Sequence, residues 1–131
     1  MSEHVIQQQI LLAHSSGTTR LWRNNVGTGW AGQATKVTGG NLRAVSQALR
    51  PGDVVIRQGR PLHAGLCVGS SDLIGYRVVD RVAQFVALEV KSANGRPTAQ
   101  QVQFIDHINA VGGLAGIARS VDDAAAILRL T

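Results

Sequence analysis

The sequence predicts an α/β fold in one domain spanning residues 1–131. In the stretch 85–90, five of six residues are apolar and two are valines, a composition typical of a buried strand. The last half of the chain alternates strand, helix, strand, helix, which predicts a right-handed crossover between two strands of one sheet. With 131 residues, 44% of them hydrophobic and 16% charged, the chain is long enough for one core and too short for two.

The first half contains one clear helix and several less regular segments. Ser2 is a good N-cap for a helix whose apolar residues recur at helical spacing and which is expected to stop at 15–17. Residues 21–25 predict a short strand running into a glycine-rich loop at 26–32, which lacks the ending of a phosphate-binding loop. Residues 41–50 predict a short helix, and the alternative is a mobile basic loop.

The next segments predict the strands of the sheet. Residues 53–57 favour a strand and 58–61 a turn, after which the chain leads to a strand that starts at Asp72 and continues to Val79. Asp80 and Arg81 are expected to turn the chain into the strand at 85–90. Two such neighbouring strands bring their polar ends together.

The C-terminal segments complete the α/β pattern. Thr98 is expected to cap a helix that ends at 112–113, and residues 114–118 favour a short strand. Ser120 is expected to cap a last helix with acidic residues in its first turn, where negative charge is favoured. The residues predicted on the apolar side of the first of these helices are Val102, Ile105, Ile108 and Val111.

Three charged residues mark the polar ends of the two neighbouring strands. Glu89 and Lys91 are two apart and therefore share one face of a strand, and Asp72 heads the strand before. Two carboxylates at the end of a buried sheet are costly unless a cation neutralises them, and oxygen ligands suit magnesium or manganese. The pattern predicts a hard divalent metal, and the alternative is an exposed ion pair that contributes little.

Charge and cysteine content indicate which kinds of partner and which cellular compartment suit the protein. The net charge is +5, and the segment from Arg20 to Arg60 contains seven basic residues and one acidic residue. This basic segment suits a polyanion, although scattered arginines also serve solubility alone. The lone Cys67 excludes an internal disulfide, argues for a reducing compartment and is expected in the core. Trp22 and Trp30 are expected to anchor the core or, less often, to stack on unpaired bases.

Several motifs together resemble the PD-(D/E)XK nuclease superfamily, and more narrowly the small stand-alone form of the VRR-NUC family, the virus-type replication-repair nucleases. The resemblance is carried by residues 23–27 (RNNVG), 65–66 (GL), 69–75 (GSSDLIG), 89–91 (EVK) and 95–98 (GRPT), with Gln101 and Phe104. It spans nearly the whole chain. In this sequence serine precedes Asp72, where the superfamily pattern has proline.

This resemblance implies a single VRR-NUC domain with a mixed central sheet flanked by helices. It implies that Lys91 orients or deprotonates the attacking water, and that Gln101 holds the lysine or the substrate phosphate. The alternative for Glu3 is a surface acid that compensates the dipole of the first helix. The implied ligands of Mg²⁺ or Mn²⁺ are Glu3, Asp72, Glu89 and the backbone carbonyl of Val90.

The function that the resemblance implies is a metal-dependent endonuclease that cuts branched DNA such as four-way junctions. Cutting two strands symmetrically needs two active sites, so a homodimer is expected. Flap cleavage and a DNA-binding module without catalysis are the alternatives. No signal peptide or membrane-spanning segment is visible, so the expected location is the cytoplasm of a bacterial or phage-infected cell. The expected DNA contacts are Arg23, Asn24, Asn25, Lys36, Arg43, Arg60, Ser71 and Arg96.

Overall fold

The computed structural model describes residues 1–45 and 48–130. Packing divides the chain into two compact units, one formed by Met1–Val26 with Gly65–Thr131 and the other by Gly27–Ala64. The first unit contains a four-stranded sheet, and the second contains a two-stranded ribbon. Whether residues 1–131 act as a single nuclease domain stays a prediction.

The elements of the described residues alternate along the chain as the sequence predicts for its last half. The helices are Glu3–His14 (α1), Leu42–Val45 (α2), Ala99–Ala110 (α3) and Val121–Ile127 (α4). The strands are Thr19–Arg23 (β1), Gly27–Lys36 (β2), Val54–Ala64 (β3), Leu73–Val79 (β4), Val82–Val90 (β5) and Leu114–Ala118 (β6). Within residues 1–45 and 48–130, none of the helices has the length and apolar character that crossing a membrane requires.

The first unit is built on a mixed sheet of order β1-β4-β5-β6. The pairs β1–β4 and β4–β5 are antiparallel, whereas β5 and β6 are parallel and joined through α3. One face of the sheet forms the core with α1 and α4, through side chains such as Ile10, Leu73 and Leu88, each of them fully buried. The predicted α/β class, with a mixed sheet flanked by helices, is confirmed, as is the pairing of the Asp72 and Glu89 strands.

Local hydrogen bonds explain where the helices begin. The Ser2 and Ser120 hydroxyls accept the N–H groups of the residues three positions on, at 3.4 and 3.0 Å. Thr98 and Gln101 form a reciprocal capping box at the start of α3, with N···O distances of 3.2 and 2.8 Å. All three predicted N-caps are confirmed, because capping depends on residues that are close in sequence.

A two-residue turn to β5 and a close backbone approach to β1 fix the position of β4. Asp80 and Arg81 have φ values of 50° and 67°, the conformation of a two-residue hairpin turn between β4 and β5. The predicted turn at these residues is confirmed. Gly75 lies so close to β1 that a Cβ there would overlap the carbonyl oxygen of Arg20. Only glycine permits this approach of β1 to β4.

The second unit differs from the sequence-based expectation. The glycine-rich segment 26–32, expected as a loop, lies mostly in β2, and the expected turn at 58–61 lies inside β3. Both expectations are wrong, because β2 and β3 pair as one long antiparallel hairpin with a bulge between Ala31 and Gln33. At the bulge, a Cβ on Gly32 would lie 2.7 Å from the Arg57 carbonyl oxygen, so the glycine serves strand pairing.

Several burial predictions are also wrong or only partly confirmed. Of the helix expected over 41–50, the structure contains Leu42–Val45, and residues 46 and 47 lie outside the described residues. Cys67, expected in the core, is exposed. Val102 and Val111, expected on the apolar side of α3, are also exposed. Ile105 is buried as predicted, because α3 packs against β5 and β6.

Candidate active site

The register between β4 and β5 brings the two predicted carboxylates together. Leu73 pairs with Leu88 in antiparallel register, so the preceding Asp72 falls opposite Glu89. The Asp72 side chain accepts the N–H of Val90 through Oδ2 at 2.9 Å. Its backbone carbonyl accepts the N–H of Asn24 at 2.7 Å, which ties the residue to the end of β1. Asp72 is therefore held from both neighbouring strands.

Glu89 is a fully buried carboxylate with one oxygen paired and one unpaired. Its Oε1 lies 2.8 Å from Lys91 Nζ and accepts a hydrogen bond from Gln101 Nε2 at 2.6 Å. Glu89 is 0% exposed, and within the described part of the chain its Oε2 has no hydrogen-bond partner. A buried carboxylate oxygen without a partner is costly, so this atom is open to a further ligand.

Burial controls the protonation of the two acids. Desolvation by burial raises the pKa of Asp72, although the hydrogen bond from Val90 and the charge of Lys91 oppose it. Burial raises the pKa of Glu89 as well, against the hydrogen bond from Lys91, and the nearby charge of Asp72 raises it further. The charge of Asp72 therefore disfavours the ionisation of Glu89, and the charge of Glu3 disfavours that of Asp72, as expected for acids that lie close together.

Lys91 is an ammonium ion at neutral pH. Burial works against its charge, but the hydrogen bond with Glu89 and the charges of Glu89, Glu3 and Asp72 outweigh burial and raise the pKa of Lys91. A lysine with a raised pKa donates protons and does not accept them. Of the two roles implied by the resemblance, orienting water therefore fits this geometry better than deprotonating it.

Two predicted residues make contacts that differ from the expected ones. Gln101 holds Glu89 through its amide N–H and takes no part in a hydrogen bond to Lys91; its Oε1 instead accepts the N–H of Thr98. Glu3 lies near enough for its charge to raise the pKa of Asp72, but its carboxylate accepts the N–H of Ser92 at 3.2 Å. A ligand role for Glu3 stays a prediction, as does that of the Val90 carbonyl.

The oxygen atoms at this site have the chemistry that a hard divalent cation prefers. Among residues 1–45 and 48–130, no three His, Cys, Asp or Glu side chains come together as a metal-binding group. A hard cation also binds backbone carbonyl and water oxygens. Two protein carboxylates are therefore enough for a site in which such oxygens complete the coordination. The unpaired Oε2 of Glu89 and the opposing Asp72 fit Mg²⁺ or Mn²⁺ on this chemistry.

Asn24 is buried, and its side chain forms hydrogen bonds with the loop that precedes Asp72. Its Nδ2 donates to Ser70 Oγ at 2.8 Å and to the Ser71 carbonyl at 2.9 Å, and its Oδ1 accepts the Leu66 N–H at 3.0 Å. Asn24 is 7% exposed and its side-chain hydrogen bonds are committed to the loop, and Ser71 is fully buried. A DNA contact by either residue stays a prediction.

The other predicted DNA contacts are distributed over both units. Arg23 is half-buried, with one guanidinium nitrogen 3.4 Å from His4 Nδ1. Asn25 and Arg96 are exposed in the first unit. The predicted contacts in the second unit, which are all exposed, are Lys36, Arg43 and Arg60. A DNA contact by each of these exposed residues stays a prediction.

A polar cavity of about 450 Å³ opens beside Asp72. Its lining includes the amides of the predicted Asn25 and of Gln7 and Gln100, two residues that the sequence analysis did not single out. Gln7 is four residues after Glu3 on α1, which places both on one helix face. That spacing is a signal from which Gln7 could have been found. Gln100 precedes the predicted Gln101 by one position and carries no comparable signal.

Comparisons of the chain with protein-family models, with curated proteins and with solved structures gave no match. The fold and the site themselves define the class: an α/β protein in which a buried carboxylate, a half-buried carboxylate and a lysine meet at one end of a mixed sheet.

Proposed function

We propose that the chain is a divalent-metal-dependent DNA endonuclease with a PD-(D/E)XK-type core of the VRR-NUC kind. The observation that carries the proposal is the buried, unpaired Oε2 of Glu89 opposite Asp72, with Lys91 on the other carboxylate oxygen. An ion-pair network built for stability would satisfy both oxygens of a fully buried carboxylate. A site built for a cation leaves one free.

The residues divide the chemistry of phosphodiester hydrolysis among them. Asp72 and Glu89 would hold Mg²⁺ or Mn²⁺, which when bound supplies an activated water and neutralises charge on the scissile phosphate. Lys91 brings a positive charge to the same face, where it orients the water and offsets negative charge that develops at phosphorus. Gln101 fixes the rotamer of Glu89, and Asn24 fixes the loop that carries Asp72.

We further propose that the substrate is branched DNA and that the active form is a homodimer, because the paired incision of a four-way junction requires two sites. Flap cleavage is the nearest alternative within the same chemistry. Cleavage products from a labelled four-way junction, flap and linear duplex of shared sequence, each with Mg²⁺ and with EDTA, separate these substrates. Equal cutting of all three would contradict branch specificity.

The test of the active site uses variants that remove one charge and keep a side chain of similar shape. Asp72→Asn and Lys91→Met should each reduce junction cleavage by at least about a thousandfold, since each removes a charge from the reaction centre. Asp106→Asn, an exposed acid on α3, is the matched control and should cut normally. Normal cleavage by Asp72→Asn would overturn the site assignment.

A DNA-binding module without catalysis is the second candidate. The observation that favours it is the ion pair between Lys91 and Glu89, which needs no metal to form. This candidate predicts DNA binding with no cleavage in Mg²⁺ or Mn²⁺, and no rise in thermal stability when either metal is added. A Mn²⁺-dependent stabilisation that is lost in Asp72→Asn would exclude it.

A further inference from the structure

An exposed aromatic surface continues from the candidate active site along the same face of the sheet. In strands, residues two apart share a face, so Ile74 and Tyr76 on β4 follow Asp72, and Phe85 on β5 precedes Glu89 on that face. Trp22 joins them, because it pairs in register with Ile74. Trp22, Tyr76 and Phe85 together are called the aromatic face below.

The aromatic face is open, although tryptophan and phenylalanine are usually buried. Trp22 is 52%, Tyr76 36% and Phe85 39% exposed. The rings of Trp22 and Tyr76 have their centroids 5.8 Å apart with a tilt of 56°. A shallow cleft of about 320 Å³, lined by these three residues with Ile74, Gly75 and Ala83, lies between them. The cleft can therefore receive a flat apolar group.

The charges around the aromatic face match a polyanion. Arg20 is exposed and pairs in register with Tyr76, which places it beside the rings. Among residues 20 and 22 of β1, 74, 76 and 78 of β4, and 83, 85 and 87 of β5, which share this face, Arg20 is the one charged residue, whereas Arg23 and Arg77 lie on the opposite face. A second copy that covered this face by two-fold symmetry would bring two like charges onto the same interface. A negatively charged partner with flat rings instead pairs with Arg20 and covers the rings.

We propose that the aromatic face stacks the bases of unpaired nucleotides of the nucleic acid whose backbone lies at Asp72 and Glu89. This inference rests on the proposed function for its substrate class. Four residues of strand separate Asp72 from Tyr76, about 13 Å, so the nucleotides concerned are those close to the cut. Aromatic side chains bind unpaired bases irrespective of sequence, and the neighbouring Arg20 offers a positive charge to the backbone. The preferred substrates then contain unpaired bases beside the incision.

The first test measures binding without cleavage. In a Trp30→Phe protein, Trp22 is the one remaining tryptophan, so its fluorescence reports on the aromatic face. A single-stranded oligothymidylate added in EDTA should quench this fluorescence to saturation. A duplex of equal length should quench it far less, since its bases are stacked internally. Saturating quenching by the single strand supports the proposal, and no quenching overturns it.

The second test separates stacking from general packing. Trp22→Leu keeps an apolar side chain but has no ring, whereas Trp22→Phe keeps a ring. Trp22→Leu should bind the labelled single strand about tenfold more weakly than the original protein, and Trp22→Phe less than about threefold more weakly. Duplex binding should be unchanged in both. Because Trp22 is half exposed, neither substitution opens a core cavity, and circular dichroism verifies the fold.

The outcomes distinguish this inference from the proposed function. If junction DNA is not cut but Trp22 is quenched, the aromatic face stands and the nuclease proposal falls. If junction DNA is cut but Trp22→Leu and Trp22→Phe bind single strands equally, the aromatic face proposal falls alone. A change from dimer to monomer in Trp22→Leu, with unaltered affinity for the oligonucleotide, would assign the face to a second copy and overturn the proposal.

Discussion

Replacing Lys91 by methionine should destabilise the metal-free protein by an amount that depends on pH. Lys91 Nζ lies 2.8 Å from Glu89 Oε1, and the two side chains are 14% and 1% exposed. At an effective dielectric constant of about 20, two unit charges at this distance attract by about 6 kcal/mol. The desolvation of the ammonium offsets part of this, so removing one partner of such a buried pair costs about 3 kcal/mol.

The pH dependence follows from the direction of the Glu89 shift. Burial raises the pKa of Glu89, so its contribution to stability is present at low pH and is lost as pH rises through the raised pKa. Without Lys91 that pKa moves higher still, because the attraction that favours the carboxylate is gone. The Lys91→Met variant should therefore lose about 3 kcal/mol at pH 8 and clearly less at pH 5, where a proton replaces the ammonium.

Urea unfolding in EDTA at pH 5 and pH 8 measures this effect. The double variant Lys91→Met with Glu89→Gln should recover most of the stability lost at pH 8, since a neutral amide needs no counter-charge. The reasoning is refuted if the single and double variants are equally unstable, or if the loss is the same at both pH values. Either result would mean that packing, and not the ion pair, sets the cost.

Three further predictions concern the rest of the site and the sheet. Asp72→Asn should stabilise the metal-free protein above the raised carboxyl pKa, since an amide still accepts the Val90 N–H without a buried charge; thermal unfolding in EDTA against pH checks it. Asn24→Ala should cost about 2 kcal/mol in urea unfolding and weaken Mn²⁺ binding, whereas exposed Asn25→Ala should cost under about 0.5 kcal/mol. Arg96→Ala should lower DNA affinity and reduce the slope of log affinity against log salt by about 1 without changing the single-turnover cleavage rate.

The parts of the fold that were predicted correctly depend on local signals. The capped helices and the β4–β5 turn follow from residues within four positions of each other. The shared face of Glu89 and Lys91 follows from the two-residue period of a strand. The meeting of Asp72 with Glu89 also required that two predicted strands be neighbours. A two-residue turn makes that the simplest arrangement, so the core of the site was accessible from sequence.

The errors arose where tertiary context decides the outcome. The segment 26–32 contains three glycines, which are depleted in strands, so its sequence favours a loop; β3 supplies the pairing that makes it a strand. Trp22 carries a strong core propensity, yet no element of the described chain covers it fully, and it is 52% exposed. Asn24 was singled out as a DNA contact by the family resemblance, whereas its side chain forms hydrogen bonds with the 66–71 loop, an arrangement that only the fold reveals.

Gln101 does two jobs with one side chain. Its carbonyl oxygen closes the first turn of α3 on Thr98, and its amide N–H pins the glutamate across the gap from that turn. Unwinding that turn would therefore free the carboxylate as well, and a binding partner that pulled on the start of α3 could switch the site off without touching either acid. The first turn of α3 therefore holds the Glu89 carboxylate in its position at the site.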